Sequence, residues 1–196
     1  MAQPSSYSAL NRYHLGIWYS AYRLLISTGL LLIFLLTYPE LTSDYQYPQL
    51  YYYALGIWVA INTVQLFALK WIRRLIQPQL IMIFFVDVCL LSLLTLASNG
   101  PNLQIGLLFV ITIFSASLLL DAKKALVFTL IAVISIIYQH FIGSIFAFSS
   151  LSNISNSALL AFLFFVVYGT GQIAVRRFQI LENLNFSQSL ELHRLQ

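Results

Sequence analysis

Six runs of apolar residues, each close to the length that crosses a lipid bilayer, constrain this chain more than any other feature. They are Ile17–Thr37, Tyr52–Leu69, Gln79–Ala97, Leu103–Leu120, Ala125–Phe148 and Ser157–Val175. A membrane-crossing helix needs about 20 mostly apolar residues, within a range of roughly 17–25. In lipid each backbone amide must bond within its own segment or in a closed barrel. Barrel strands alternate apolar and polar residues over about ten positions, and Leu30-Leu31-Leu32-Ile33-Phe34-Leu35-Leu36 does not alternate. The fold class is therefore an all-α polytopic membrane protein with six transmembrane helices. Composition excludes the soluble alternatives. Charged residues make up 8% of the 196 and hydrophobic ones 60%. Six acids and ten bases cannot cover the surface of a soluble enzyme. A disordered tail and a nucleic-acid reader are excluded on the same ground. The single Cys89 cannot form an internal disulfide.

The breaks between runs carry turn chemistry. Tyr38-Pro39-Glu40 is expected to end the first span and Gln77-Pro78 to start the third. Ser98-Asn99-Gly100-Pro101-Asn102 reads as a tight turn and Ser149–Asn156 as a short Ser/Asn loop. Short connections make sequential helices antiparallel neighbours. The first run is no cleaved signal peptide: it is too long for an h-region and five more spans follow.

Basic residues collect on the cytoplasmic side of membrane proteins. With the N-terminus inside, Arg12, Arg23, Lys70, Arg73, Arg74, Lys123, Lys124, Arg176, Arg177 and Arg194 all fall on or near that side. The opposite loops hold none of them and only the acids Glu40 and Asp44. The predicted topology is N-in/C-in. Arg23, about two turns into the first span, is expected to snorkel back to the inner headgroups. Six tyrosines at 38, 45, 47, 51, 52 and 53 read as an aromatic belt at the outer interface. A ligand surface built from their rings is the sharper alternative. That loop is too short for a folded extracellular domain, so a signal is met in the bilayer or at its face.

Asp87 is the only acid within a span, and at that depth it needs a partner, a wet cavity or a proton. It lies eight residues from the cytoplasmic end of its run, roughly 12 Å at about 1.5 Å per residue. Asn62 and Thr112 fall at the same level on their own runs, with Gln65 nearer the inner face and His140 closer to the outside. In one reading Asp87 and Asn62 hydrogen-bond across adjacent helices and fix their register. In the other, Asp87 detects a partner helix or a proton. No His, Cys or Glu stands at metal-ligand spacing with His140, so no metal or cofactor is expected. The nucleophile-elbow, zinc-protease and P-loop motifs are absent, so no catalytic residues are assigned. Gly169-Thr170-Gly171 offers small residues for close helix contact.

After Val175 the composition changes. Residues 176–196 carry Arg, Glu, Asn, Gln and Ser with spaced Leu and Phe, and neither Gly nor Pro. The sixth helix is expected to run on into the cytoplasm. Phe178, Leu181, Asn185, Gln188, Leu192 and Leu195 recur at 3-4-3-4-3 spacing. That is the a/d seam of a short parallel coiled coil with Asn185 specifying register; a solvated helix lying on the membrane surface is the alternative. No capping Gly or Pro follows Leu195, which reads as a chain cut before a soluble output domain.

The pattern resembles the membrane region of the PilS sensor histidine kinases, which control type IV pilus genes. The matching features are Tyr22-Arg23-Leu24-Leu25, Val86-Asp87 with Leu94-Thr95-Leu96-Ala97-Ser98, Gly106-Leu107-Leu108, Ser117-Leu118-Leu119-Leu120, and Arg176-Arg177. The turn Ser98-Asn99-Gly100-Pro101 departs from the family's usual Gly pair after Ser. The resemblance implies a homodimer in the bacterial inner membrane. It divides the chain into a cytoplasmic segment 1–16, a six-helix sensor domain 17–175 and a linker helix 176–196. It further implies downstream PAS and kinase domains, a response regulator as their partner, and recognition of the pilin transmembrane helix. His193 lacks the surroundings of a phosphoacceptor. A second reading is the six-helix substrate-binding subunit of a vitamin transporter. Such a subunit would carry small residues on helix 1 for docking, whereas helix 1 here is mostly Leu and Ile after Gly29, and the 176–196 extension has no use there.

Overall fold

The computed structural model describes residues 6–41, 45, 47–71, 76–98, 103–147 and 152–194. Six helices account for nearly all of them: α1 (Ser6–Leu41), α2 (Pro48–Trp71), α3 (Ile76–Ala97), α4 (Leu103–Leu119), α5 (Ala122–Ala147) and α6 (Ser152–Arg194). The described residues contain no strand. Five helices hold stretches long and apolar enough to cross a membrane: Leu15–Thr37, Pro48–Ala68, Gln77–Ala97, Ala122–Gln139 and Ser155–Leu181. The apolar stretch of α4, Ile105–Leu119, is shorter. All 17 residues of α4 span about 25 Å, a little less than the roughly 30 Å of hydrocarbon.

The helix ends follow local chemistry with two departures from expectation. Pro48 and Pro78 sit in the first turns of α2 and α3, where a missing N–H leaves no bond unmade. Asp121 precedes α5, its carboxylate 3.3 Å from Lys124 Nζ and its carbonyl accepting from Ala125 N at 3.0 Å. Proline does not end α1: the apolar stretch stops at Thr37, but the helix runs through Pro39 to Leu41. Pro39 falls in the last turn, where the helix loses a single bond. The Ser/Asn loop is also shorter than its composition suggests, because α6 starts at Ser152.

The bundle is apolar inside and out. Leu55, Phe84, Leu91, Phe109, Ile113 and Phe164 are fully buried, while Leu25, Leu36, Phe67, Met82, Ile134 and Phe162 point outward. A helix hydrophobic on all sides belongs in lipid. Each helix packs on its sequence neighbour, as short connections require. Beyond that, α3 also packs on α5, α4 on α6, and α1 touches α4 lightly. The α1–α2 connection is tied to the end of α3, where Tyr47 N donates to Ala97 O at 3.1 Å.

Candidate intramembrane polar site

Asp87 is 1% exposed and lies where α1, α2 and α3 meet. Three donors converge on its carboxylate. Tyr19 Oη donates to Oδ2 at 3.0 Å and Trp58 Nε1 to Oδ1 at 3.0 Å. The guanidinium of Arg23 forms an ion pair with Oδ1. Arg23 is itself 4% exposed, and its Nη1 donates to Gln65 Oε1 at 2.9 Å. Its guanidinium also lies 5.5 Å from the centre of the Tyr19 ring, within cation–π range.

Arg23 therefore does not snorkel to the headgroups. An isolated cation at that depth would reach for water, but one facing a buried carboxylate is held by charge and hydrogen bonds together. Donors serve the carboxylate and an acceptor, Gln65 Oε1, serves the guanidinium, as buried charges require.

Asn62 comes to the same junction by another route. Its Nδ2 donates to Ser27 Oγ at 3.0 Å and to the carbonyl of Arg23 at 3.4 Å. Both Asp87 and Asn62 thus anchor on α1 rather than on each other. Thr112 donates to Leu108 O at 2.9 Å within its own helix. It lines a small gap of about 20 Å³ shared with Tyr19, Tyr22, Arg23 and Trp58. That is room for roughly one water molecule. Three buried polar atoms at the junction have no hydrogen-bond partner: Ser20 Oγ, Arg23 Nε and Asn62 Oδ1. The ring of Tyr19 stacks on Phe84 with centroids 5.0 Å apart, which fixes the phenol over the carboxylate.

The structure thus gathers Asp87, Asn62 and Thr112 around Arg23 and adds Tyr19, Trp58, Gln65 and Ser27 to them. Depth arithmetic alone puts Arg23 and Gln65 near the level of Asp87 but not Tyr19 or Trp58, and it does not say which way Arg23 turns. Arg23 stands six residues into its apolar run, roughly 9 Å, against about 12 Å for Asp87. His140 lies in α5, but its side chain is outside the described residues. Among the described residues, no three His, Cys, Asp or Glu side chains cluster to hold a metal ion.

The tyrosines around the α1–α2 connection divide. Tyr51 is buried and packs on Phe34 with centroids 5.1 Å apart, and Tyr45 meets the same ring edge-on at 5.4 Å. Tyr47, Tyr52 and Tyr53 face outward. In the tail, Phe178 and Leu181 are 68% and 56% exposed on the single chain. Asn185, Gln188 and Leu192 lie on α6 with side chains outside the described residues, and Leu195 lies outside them altogether.

The family model of the PilS-like transmembrane domain matches residues 8–184, most of the chain. No curated protein and no solved structure matches it.

Proposed function

Because the chain belongs to the PilS-like transmembrane domain family, a multi-pass membrane sensor module of that kind, we propose that it is the input half of a two-component histidine kinase controlling type IV pilus genes. One observation carries the relay part of this reading. α6 runs unbroken for 43 residues. At about 1.5 Å per residue it is roughly 64 Å long, twice the hydrocarbon thickness of about 30 Å. Only its Ser155–Leu181 stretch is apolar enough for lipid. The remainder projects as a rod, and a rod transmits rotation or piston motion to a domain joined to it.

The distribution of Lys and Arg supports N-in/C-in insertion, with the rod entering the cytoplasm. In this scheme the bacterial inner membrane holds a homodimer whose two α6 helices pair along Phe178, Leu181, Asn185, Gln188, Leu192 and Leu195. The signal is a transmembrane helix, that of pilin, read at or beside the Arg23–Asp87 cluster. Kinase domains joined to the rod phosphorylate the response regulator.

A scan of single cysteines along 176–196 tests the relay. Dimer crosslinks recurring with heptad period are expected, and a scan without any would refute a paired signalling helix. Replacing Asp87 by Asn tests the sensing part. Altered pilin co-purification and altered pilin promoter output are expected; unchanged binding and output would refute a sensing role for the cluster.

A further inference from the structure

α6 meets the rest of the bundle chiefly through α4 and α5. Two points on the α4 side leave no room. A Cβ added to Gly106 would lie 2.8 Å from Leu160 Cδ2, the end of a flexible side chain. A Cβ added to Gly171 would lie 2.5 Å from Ser117 Cβ and 3.1 Å from its Oγ. The first neighbour can swing away. The second is fixed to its backbone, so one helix must move. Between these points Phe109 of α4 and Phe164 of α6 pack with centroids 5.5 Å apart.

The other side of α4 faces the polar site. Leu108, Ile111 and Thr112 border the gap shared with Tyr19, Arg23 and Trp58. Thr112 and Ser117 are five residues apart, roughly 7.5 Å along the axis and about 140° around it. One face of α4 thus serves the cluster and another serves α6. The gap leaves α4 room on the α1 side, and the Ser117–Gly171 contact leaves none on the α6 side.

We propose that α4 is the transmission element between the Arg23–Asp87 cluster and α6, with Ser117–Gly171 as the joint. The gap lets α4 shift at Thr112, and the tight Ser117–Gly171 contact carries that shift to α6, because close-packed contacts pass displacement on. Gly171 lies five residues before Arg176, where the polar tail begins. This deepens the relay reading above and rests on it for its consequence in signalling, but the joint is a matter of packing that can be measured alone.

The test uses the full chain in lipid vesicles with Cys89→Ser. Nitroxide labels are placed at Lys123→Cys and Arg177→Cys, both exposed. Tyr168 Oη donates to Ala122 O at 3.1 Å, so α5 and α6 run side by side there. The label separation is read by double electron–electron resonance. Gly171→Ala is expected to shift the mean separation by about 1 Å, the amount needed to open the clash to an ordinary contact of roughly 3.5–4.0 Å. Adding Ser117→Gly removes the clashing Cβ and is expected to restore the original separation. Gly169→Ala, which meets nothing within 4 Å, is expected to change nothing. Asp87→Asn is expected to shift the same separation. Should Gly171→Ala fail to accumulate in membranes, the pair with Ser117→Gly carries the test and must show the original separation. An unmoved Gly171→Ala, an unrestored pair, or an Asp87→Asn chain with unchanged separation would overturn the proposal. A shifted separation with unaltered phosphotransfer by the complete kinase supports the joint and sinks the relay reading instead.

Discussion

At the scale of single residues, the Arg23–Asp87 pair outweighs its neighbours. Removing one member of a buried pair leaves the other charge uncompensated, at a cost of about 3–5 kcal/mol. Asp87→Ala is therefore expected to destabilise the folded bundle by that order, measured by denaturant titration in micelles. Replacing both residues with apolar ones of similar volume, Arg23→Met with Asp87→Leu, is expected to cost far less than either single change. Asn62→Ala removes the bonds to Ser27 and to the Arg23 carbonyl. Interhelical hydrogen bonds in membranes average about 0.6 kcal/mol, so its effect is expected to be several-fold smaller than that of Asp87→Ala. The sequence made Asp87 visible because a lone acid in an apolar run has no other explanation. It hid Arg23, since a long cation near a span end reads equally well as a headgroup contact. Burial distinguishes the two, and burial depends on where α2 and α3 stand relative to α1.

At the scale of elements, the apolar runs determined where helices form, because lipid leaves the backbone no alternative. All six appear within a few residues of their expected spans, except that α1 and α6 extend well past them. Those extensions are polar or mixed in composition, where the bilayer no longer enforces the state. Helix partners were legible only along the chain. That α4 packs on α6 depends on glycines whose neighbours are remote in sequence. Gly169 and Gly171 look equivalent in the string, yet one faces open space and the other Ser117. Gly106→Ala meets only the tip of Leu160, so it is expected to lower the melting temperature less than Gly171→Ala does, as followed by thermal scanning in detergent. Overpacking costs about 1–3 kcal/mol when neighbours cannot yield, which is the case at Ser117.

At the scale of the whole molecule, an even number of crossings puts both ends on one side. In the orientation proposed above, which the basic residues support, that side is the cytoplasm. A fluorescent protein fused after residue 196 is expected to light up, and an alkaline phosphatase fused at Tyr45 to be active. The reverse pattern would overturn the orientation. The membrane-buried ion pair has one more consequence, an electrical one. Arg23 and Asp87 sum to zero, so displacing the cluster as a unit along the bilayer normal does no work against the transmembrane potential. A lone charge there would feel about 2.3 kcal/mol per 100 mV. Rigid translation of the paired cluster is thus insensitive to the energised state of the cell, whereas after Asp87→Ala the same displacement would move an unbalanced cation through the field.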